Sequence, residues 1–203
     1  MPEVSLKPND EPDRRSQDRQ KMILRVGLLE QAGKPSFCLV SNIFSTGLQV
    51  KLYSSAARVG DVRVRVADEN PIPGQIVWIR NGNAGISFEE SVDPATLLRL
   101  QQKLGPVRRR SMPRVKATSY AVMRVGGRML AAVLRDISSM GARVTTSRSL
   151  EVGTLAIIRL PDLPELKAHV RWTECSESGL VFETPIPMQV ISEWIDGRIR
   201  VSA

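Results

Sequence analysis

The chain repeats itself at an interval of 94 residues, and that repeat restricts the fold more than any other feature. Gly47 and Gly141, Trp78 and Trp172, Gly85 and Gly179, and Phe88 and Phe182 are all 94 positions apart. Arg15 and Arg19 match Arg110 and Arg114 at 95, and Gly60 matches Gly153 at 93. The phrases Ile-Val-Trp78…Gly85-Ile-Ser-Phe88-Glu and Val-Arg-Trp172…Gly179-Leu-Val-Phe182-Glu read as one pair of strands written twice. A 203-residue chain built this way holds two domains of about 100 residues, each able to bury a core.

Each copy reads as a series of short strands. In the second, β-rich runs at 117–125 and 128–135 flank Gly126-Gly127, a hairpin signal, and further runs follow at 142–146, 154–160, 166–173 and 179–183. The first copy gives 20–29, 36–41, 48–52, 62–67, 75–80 and 85–89. Six strands at roughly ten-residue spacing predict a small antiparallel barrel or sandwich, and closure into a barrel would remove exposed edges. A helix signal follows each set. Asp93-Pro94 opens a stripe of Leu97, Leu98, Leu100 and Leu104 that Gly105-Pro106 stops, and Val190, Ile191, Trp194 and Ile195 form a similar stripe before Gly197. The expected fold is all-β with terminal helices. A flexible tail over 1–12 precedes a first domain over 13–105 and a second over 106–203.

The chemistry concentrates in the second copy. Arg109-Arg110-Ser-Met-Pro-Arg114 supplies guanidinium groups four residues apart, and Asp136-Ile-Ser138-Ser-Met-Gly141 supplies a carboxylate, a hydroxyl and a glycine turn. Arginine forks onto phosphate oxygens, stacks on purine faces and matches the O6 and N7 acceptors of guanine. A carboxylate accepts from guanine N1–H and its amine, which adenine cannot reproduce. Ser138 adds a donor and acceptor, and a glycine at 141 can take positive φ and bring backbone close to a ligand. The pattern suits an anionic guanine nucleotide.

With these motifs the second copy resembles the PilZ domain family, bacterial receptors for the second messenger cyclic di-GMP. The family pattern is RxxxR upstream of (D/N)xSxxG, and Arg110, Arg114, Asp136, Ser138 and Gly141 fill every motif position. The resemblance implies two tandem six-stranded antiparallel barrels, each followed by an α-helix, and no catalysis. It also implies that the arginine loop folds over cyclic di-GMP while Asp136 and Ser138 hold a guanine. The residue before RxxxR influences whether one ligand or an intercalated pair is held in such proteins. Here it is Arg109, which favours a pair by stacking on a second guanine. Gly105-Pro106 and Pro113 frame a 106–114 loop that ligand would order, altering domain arrangement or partner binding.

The first copy departs from the pattern. Arg15, Arg19, Asn42 and Gly47 are retained, but Phe44 stands at the serine position and brings bulk where a guanine edge would rest. A degenerate site is expected there, with the domain serving as a homodimer surface, a platform for a downstream protein target, or a brace.

Charge agrees with an anionic ligand in the second copy. Residues 1–103 carry 14 basic and 12 acidic side chains, whereas 104–203 carry 15 and 9. A single-stranded nucleic-acid or other anion-binding barrel is the alternative reading, but aromatics for base stacking make up only 4% of residues. Catalytic residues and metal ligands are not expected. His169 is the single histidine, and no nucleophile motif, P-loop, GxGxxG or zinc spacing occurs. Cys38 and Cys175 lie far apart, no apolar run approaches the ~18 residues of a membrane span, and Met1–Gln20 lacks the apolar core of a secretory signal. These features predict a cytoplasmic protein.

Overall fold

A computed structural model describes residues 25–66, 70–95 and 112–201. The first barrel comprises β1 (Arg25–Gln31), β2 (Lys34–Phe44), β3 (Gly47–Leu52), β4 (Gly60–Val66), β5 (Ile72–Arg80) and β6 (Asn83–Phe88). The second comprises β7 (Val115–Val125), β8 (Arg128–Ser138), β9 (Gly141–Thr146), β10 (Leu155–Arg159), β11 (Leu166–Glu174) and β12 (Glu177–Phe182), followed by α1 (Met188–Val201). Both sheets close, in the orders β1-β2-β3-β6-β5-β4 and β7-β8-β9-β12-β11-β10, so the two copies share one antiparallel topology. Closure leaves neither sheet with a free edge. No described helix is long and apolar enough to cross a membrane.

Alternation along the strands divides inside from outside. Cys38, Val40, Val50, Val64 and Ile86 point into the first barrel, and Met123, Leu134, Val144, Ile158 and Leu180 into the second. The hairpin turns use the left-handed conformations that tight antiparallel connections need: Ala32 and Gly33 have φ of 48° and 74°, and Gly126 and Gly127 have 55° and 78°. Complete burial lifts the Cys38 thiol to about 12, so it packs as a neutral apolar group.

Both barrels carry bulges at equivalent positions. Pairing of β2 with β3 skips Ser41, between Val40 and Asn42, and pairing of β8 with β9 skips Arg135, between Leu134 and Asp136. A second matched pair lies just before Trp78 and Trp172. One extra residue shifts the phase of the pleat. Ala132 and Leu134 point inward, and so does Ile137, which places Asp136 and Ser138 on the outer face.

The C-terminal helix serves both barrels. Its Ile191, Trp194 and Ile195 are buried, and Trp194 Nε1–H donates to Pro161 O at 2.8 Å. The same packed cluster takes in Leu28 and Phe37 from the outer face of the first barrel, with Val26 and Tyr53 at its margin. Ser54 Oγ donates to Asp196 Oδ2 at 2.7 Å across this junction. Gly197, expected to end the helix, lies inside it, for α1 continues to Val201. The ~1 kcal/mol that glycine costs a helix is small beside the apolar anchoring one turn earlier. In the first copy, Asp93 Oδ1 accepts from Ala95 N–H at 2.9 Å, the expected cap, but the leucine stripe of 97–104 lies outside the described residues.

Candidate functional site

The bulge on β8 turns a carboxylate outward, and two arginines close on it. Arg114, just before β7, places Nη1 2.7 Å from Asp136 Oδ1. Arg143, opposite Asp136 on β9, places Nε 2.7 Å from Oδ2 and Nη1 3.2 Å from Glu177 Oε2. Arg114 and Asp136 are 22 residues apart in sequence, and their contact brings the two motifs into one site. Burial lowers the Arg143 pKa, but the charges of Asp136 and Glu177 and the bonds to them outweigh it and raise the pKa above the usual value. A carboxylate offers about four lone-pair sites, so Asp136 retains acceptor capacity beside both arginines.

Ser138 is almost fully buried, and its Oγ donates to Gly141 O at 3.2 Å. The hydroxyl therefore braces the Ser138-Ser139-Met140-Gly141 turn. That turn is tied to the chain leading into α1, because Phe182 N–H donates to Met140 O at 3.0 Å and Ile186 N–H to Ser139 O at 2.8 Å. Gly141 does not adopt the positive φ expected of it. Its requirement is steric, since a Cβ there would stand 2.2 Å from Leu180 O of β12. A Gly141→Ala variant should therefore lose about 1–3 kcal/mol through overpacking against rigid backbone. A thermal melt should show the second domain unfolding roughly 4–20 °C lower, and an unchanged melting temperature would show that the strands separate freely.

Beside Arg143, Gly179 lies beneath the Trp172 ring, whose Nε1 is 1.9 Å from where a glycine Cβ would stand. Glycine is required at 141 and 179 because the Leu180 carbonyl and the Trp172 indole occupy the space a side chain would take, which packs β9 closely against β12 and seats the indole on the sheet beside the Asp136–arginine pairs.

The first barrel keeps these close approaches, at Gly47 and Gly85, and changes the chemistry. Asn42 Nδ2 donates to Gln49 Oε1 at 2.9 Å, a neutral counterpart of the Asp136–Arg143 pair. Phe44 is half-buried, lies outside the barrel's core cluster, and lines an open groove with Gly47, Val77, Trp78 and Gly85. Among the other expected site residues, Arg15, Arg19, Arg109 and Arg110 lie outside the described residues. His169 is exposed, with Nε2 3.0 Å from Glu183 Oε1, as suits a structural residue. Sequence reasoning missed Arg143 and Glu177, although an arginine two residues beyond Gly141 on an outward-facing strand position was the available signal.

No curated protein matches the chain. Among solved structures, the PlzA protein of Borreliella burgdorferi in complex with c-di-GMP is 12% identical, covering 85% of this chain and 87% of its own, with a TM-score of 0.40. The Bacillus subtilis inhibitor of motility (MotI/DgrA) is 16% identical over 90% of this chain and 97% of its own, with a TM-score of 0.36. The PilZ domain of CeSA from a cellulose-synthesizing bacterium is 21% identical over 45% of this chain and 99% of its own, with a TM-score of 0.33. The PilZ domain sequence model matches residues 108–197, which include Arg110, the second barrel and most of the helix that follows it. The match spans the whole of the second barrel, and the first barrel repeats its strand order.

Proposed function

We propose that this chain is a non-catalytic receptor for cyclic di-GMP, with its site on the outer face of the second barrel. The observation that carries the reading is the 2.7 Å contact between Arg114 and Asp136, which joins the RxxxR and DxSxxG motifs within the PilZ match. Arg110 and Arg114 bind phosphate and guanine, Asp136 accepts from the guanine N1–H and amine, and Gly141 lets β9 pack closely against β12 at the site. Ser138 holds the turn that presents Asp136.

Binding draws the 106–114 loop onto the barrel. The turn at Ser138–Gly141 is bonded to the segment entering α1, and α1 packs against the first barrel, so ordering at the site can bias the placement of the two domains. A ligand shifts that balance only by its difference in affinity for the two arrangements.

Titration calorimetry of the chain with cyclic di-GMP tests the reading. Binding should be readily measured, and cyclic di-AMP at the same concentrations should give none, because adenine presents no N1–H to Asp136. Absence of heat with both ligands would reject the receptor assignment. Arg109→Ala should lower the ligand-to-protein ratio from two toward one while binding persists, provided that Arg109 stacks on the second guanine of an intercalated pair. An unchanged ratio would remove the pair.

A further inference from the structure

We propose that the outer face of β7 and β8 is a docking surface for an amphipathic helix with acidic flanks, presented by a second protein. The internal repeat carries the argument. In the first barrel, β1 pairs with β2 so that Leu28 lies opposite Phe37 and Val26 opposite Leu39. Leu28 and Phe37 are buried in the cluster that contains Ile191, Trp194 and Ile195 of α1, so this face already holds a helix. At the 94-residue interval the same cross-strand pairs recur on the second barrel. Val122 lies opposite Ala131, and Tyr120 opposite Val133.

There the face is open. Tyr120 is 85% exposed, Met129 57% and Val122 44%, and none of the described residues covers them. Contiguous exposed apolar surface of this kind, rimmed by polar groups, marks interaction sites. The fold has thus built one helix-binding face twice and filled it once. Phe37, which fills the space beneath α1, is replaced by Ala131, and that leaves room for a large anchor from the incoming helix.

Charge identifies the occupant. Glu30, beside the covered pair in the first barrel, becomes Arg124 in the second, and Ser41 becomes Arg135. Asp136 is the one carboxylate in β7 or β8, and it is buried under Arg114 and Arg143. A helix carrying glutamate or aspartate beside its apolar stripe complements this rim. Neither of the two apolar stripes in a second copy of this chain supplies one. Its α1 already has Ile191, Trp194 and Ile195 buried, and its 94–105 segment carries Arg99 and Lys103 with no acidic residue.

The test uses the full chain and two labelled 14-residue peptides, the length of α1. Both carry Ile, Trp and Ile at the spacing of 191, 194 and 195. One has glutamates and the other lysines at the remaining exposed positions. Fluorescence anisotropy should show the glutamate peptide binding at least about tenfold more tightly than the lysine peptide, a margin of one small interaction. Val122→Glu, at an exposed position, should weaken it by about tenfold or more with an unchanged thermal melt. Failure of the glutamate peptide to bind, equal binding of the two peptides, or binding that survives Val122→Glu would overturn the proposal. Two further results would also overturn it by naming another occupant. One is self-association in sedimentation equilibrium that Val122→Glu abolishes. The other is pelleting with phosphatidylglycerol–phosphatidylcholine vesicles that Val122→Glu abolishes.

Discussion

Arg114→Ala should weaken cyclic di-GMP binding by roughly 30-fold to several thousand-fold in titration calorimetry. That corresponds to the ~2–5 kcal/mol lost when one partner of a buried, hydrogen-bonded charge pair is truncated. The Arg114 side chain is only 17% exposed and lies 2.7 Å from Asp136, so its removal takes away an anchor of the carboxylate and, on the proposed function, a phosphate- or guanine-binding fork. Arg143 would remain on Asp136, and the fold should therefore survive. Arg114→Lys separates charge from geometry. It keeps the cation and loses the planar fork, so its affinity should fall between those of wild type and alanine. Arg15→Ala, the corresponding change in the first copy, should leave affinity within a few-fold of wild type, because Phe44 and Asn42 replace the serine and the carboxylate there. If the ranking of Arg15 and Arg114 were reversed, the live site would belong to the first barrel.

Phe37→Ala should cost about 3–5 kcal/mol of stability, the range for deleting a fully buried aromatic. Phe37 belongs to a first-barrel strand, yet it packs in the cluster built around the second barrel and α1. The deletion should therefore loosen the junction as well as lower stability, and chemical denaturation should show the unfolding of the two barrels moving apart. Phe44→Ala is the matched control. Phe44 is half-buried and outside both core clusters, so its loss should cost less than about 1 kcal/mol, as surface substitutions do. Equal costs at 37 and 44 would mean that α1 does not use the first barrel as a support.

Much of this architecture was legible in the chain. Short β-rich runs located all six strands of the second copy, and Gly126-Gly127 marked its hairpin, because both signals are local. The joining of Arg114 to Asp136 was implied by the motifs, but the partnership of Asp136 with Arg143 was not. That pairing depends on register after the bulge at Arg135, which is set by hydrogen bonding between strands rather than by either strand alone. The junction between the barrels left a trace that went unread. Phe37-Cys38-Leu39-Val40 is apolar at four consecutive positions, the mark of a strand covered on both faces. Gly141 was singled out for its conformational freedom, whereas the actual constraint is the carbonyl of a strand distant in sequence.

The paired bulges also govern how such a site can change over time. Ser41 and Arg135 act as a shift of reading frame in the pleat, deciding for every later residue of the strand which side faces the solvent. Point substitution can rewrite the chemistry at 136 and 138, or at 42 and 44, without altering that frame. The aromatic at 44 stays half-buried outside the core, at the position equivalent to Ser138. Removal of Ser41 or Arg135 would instead turn the end of its strand inside out. The outer face is thus permissive to substitution and intolerant of changes in length, and two copies with one geometry were free to diverge in what they recognise.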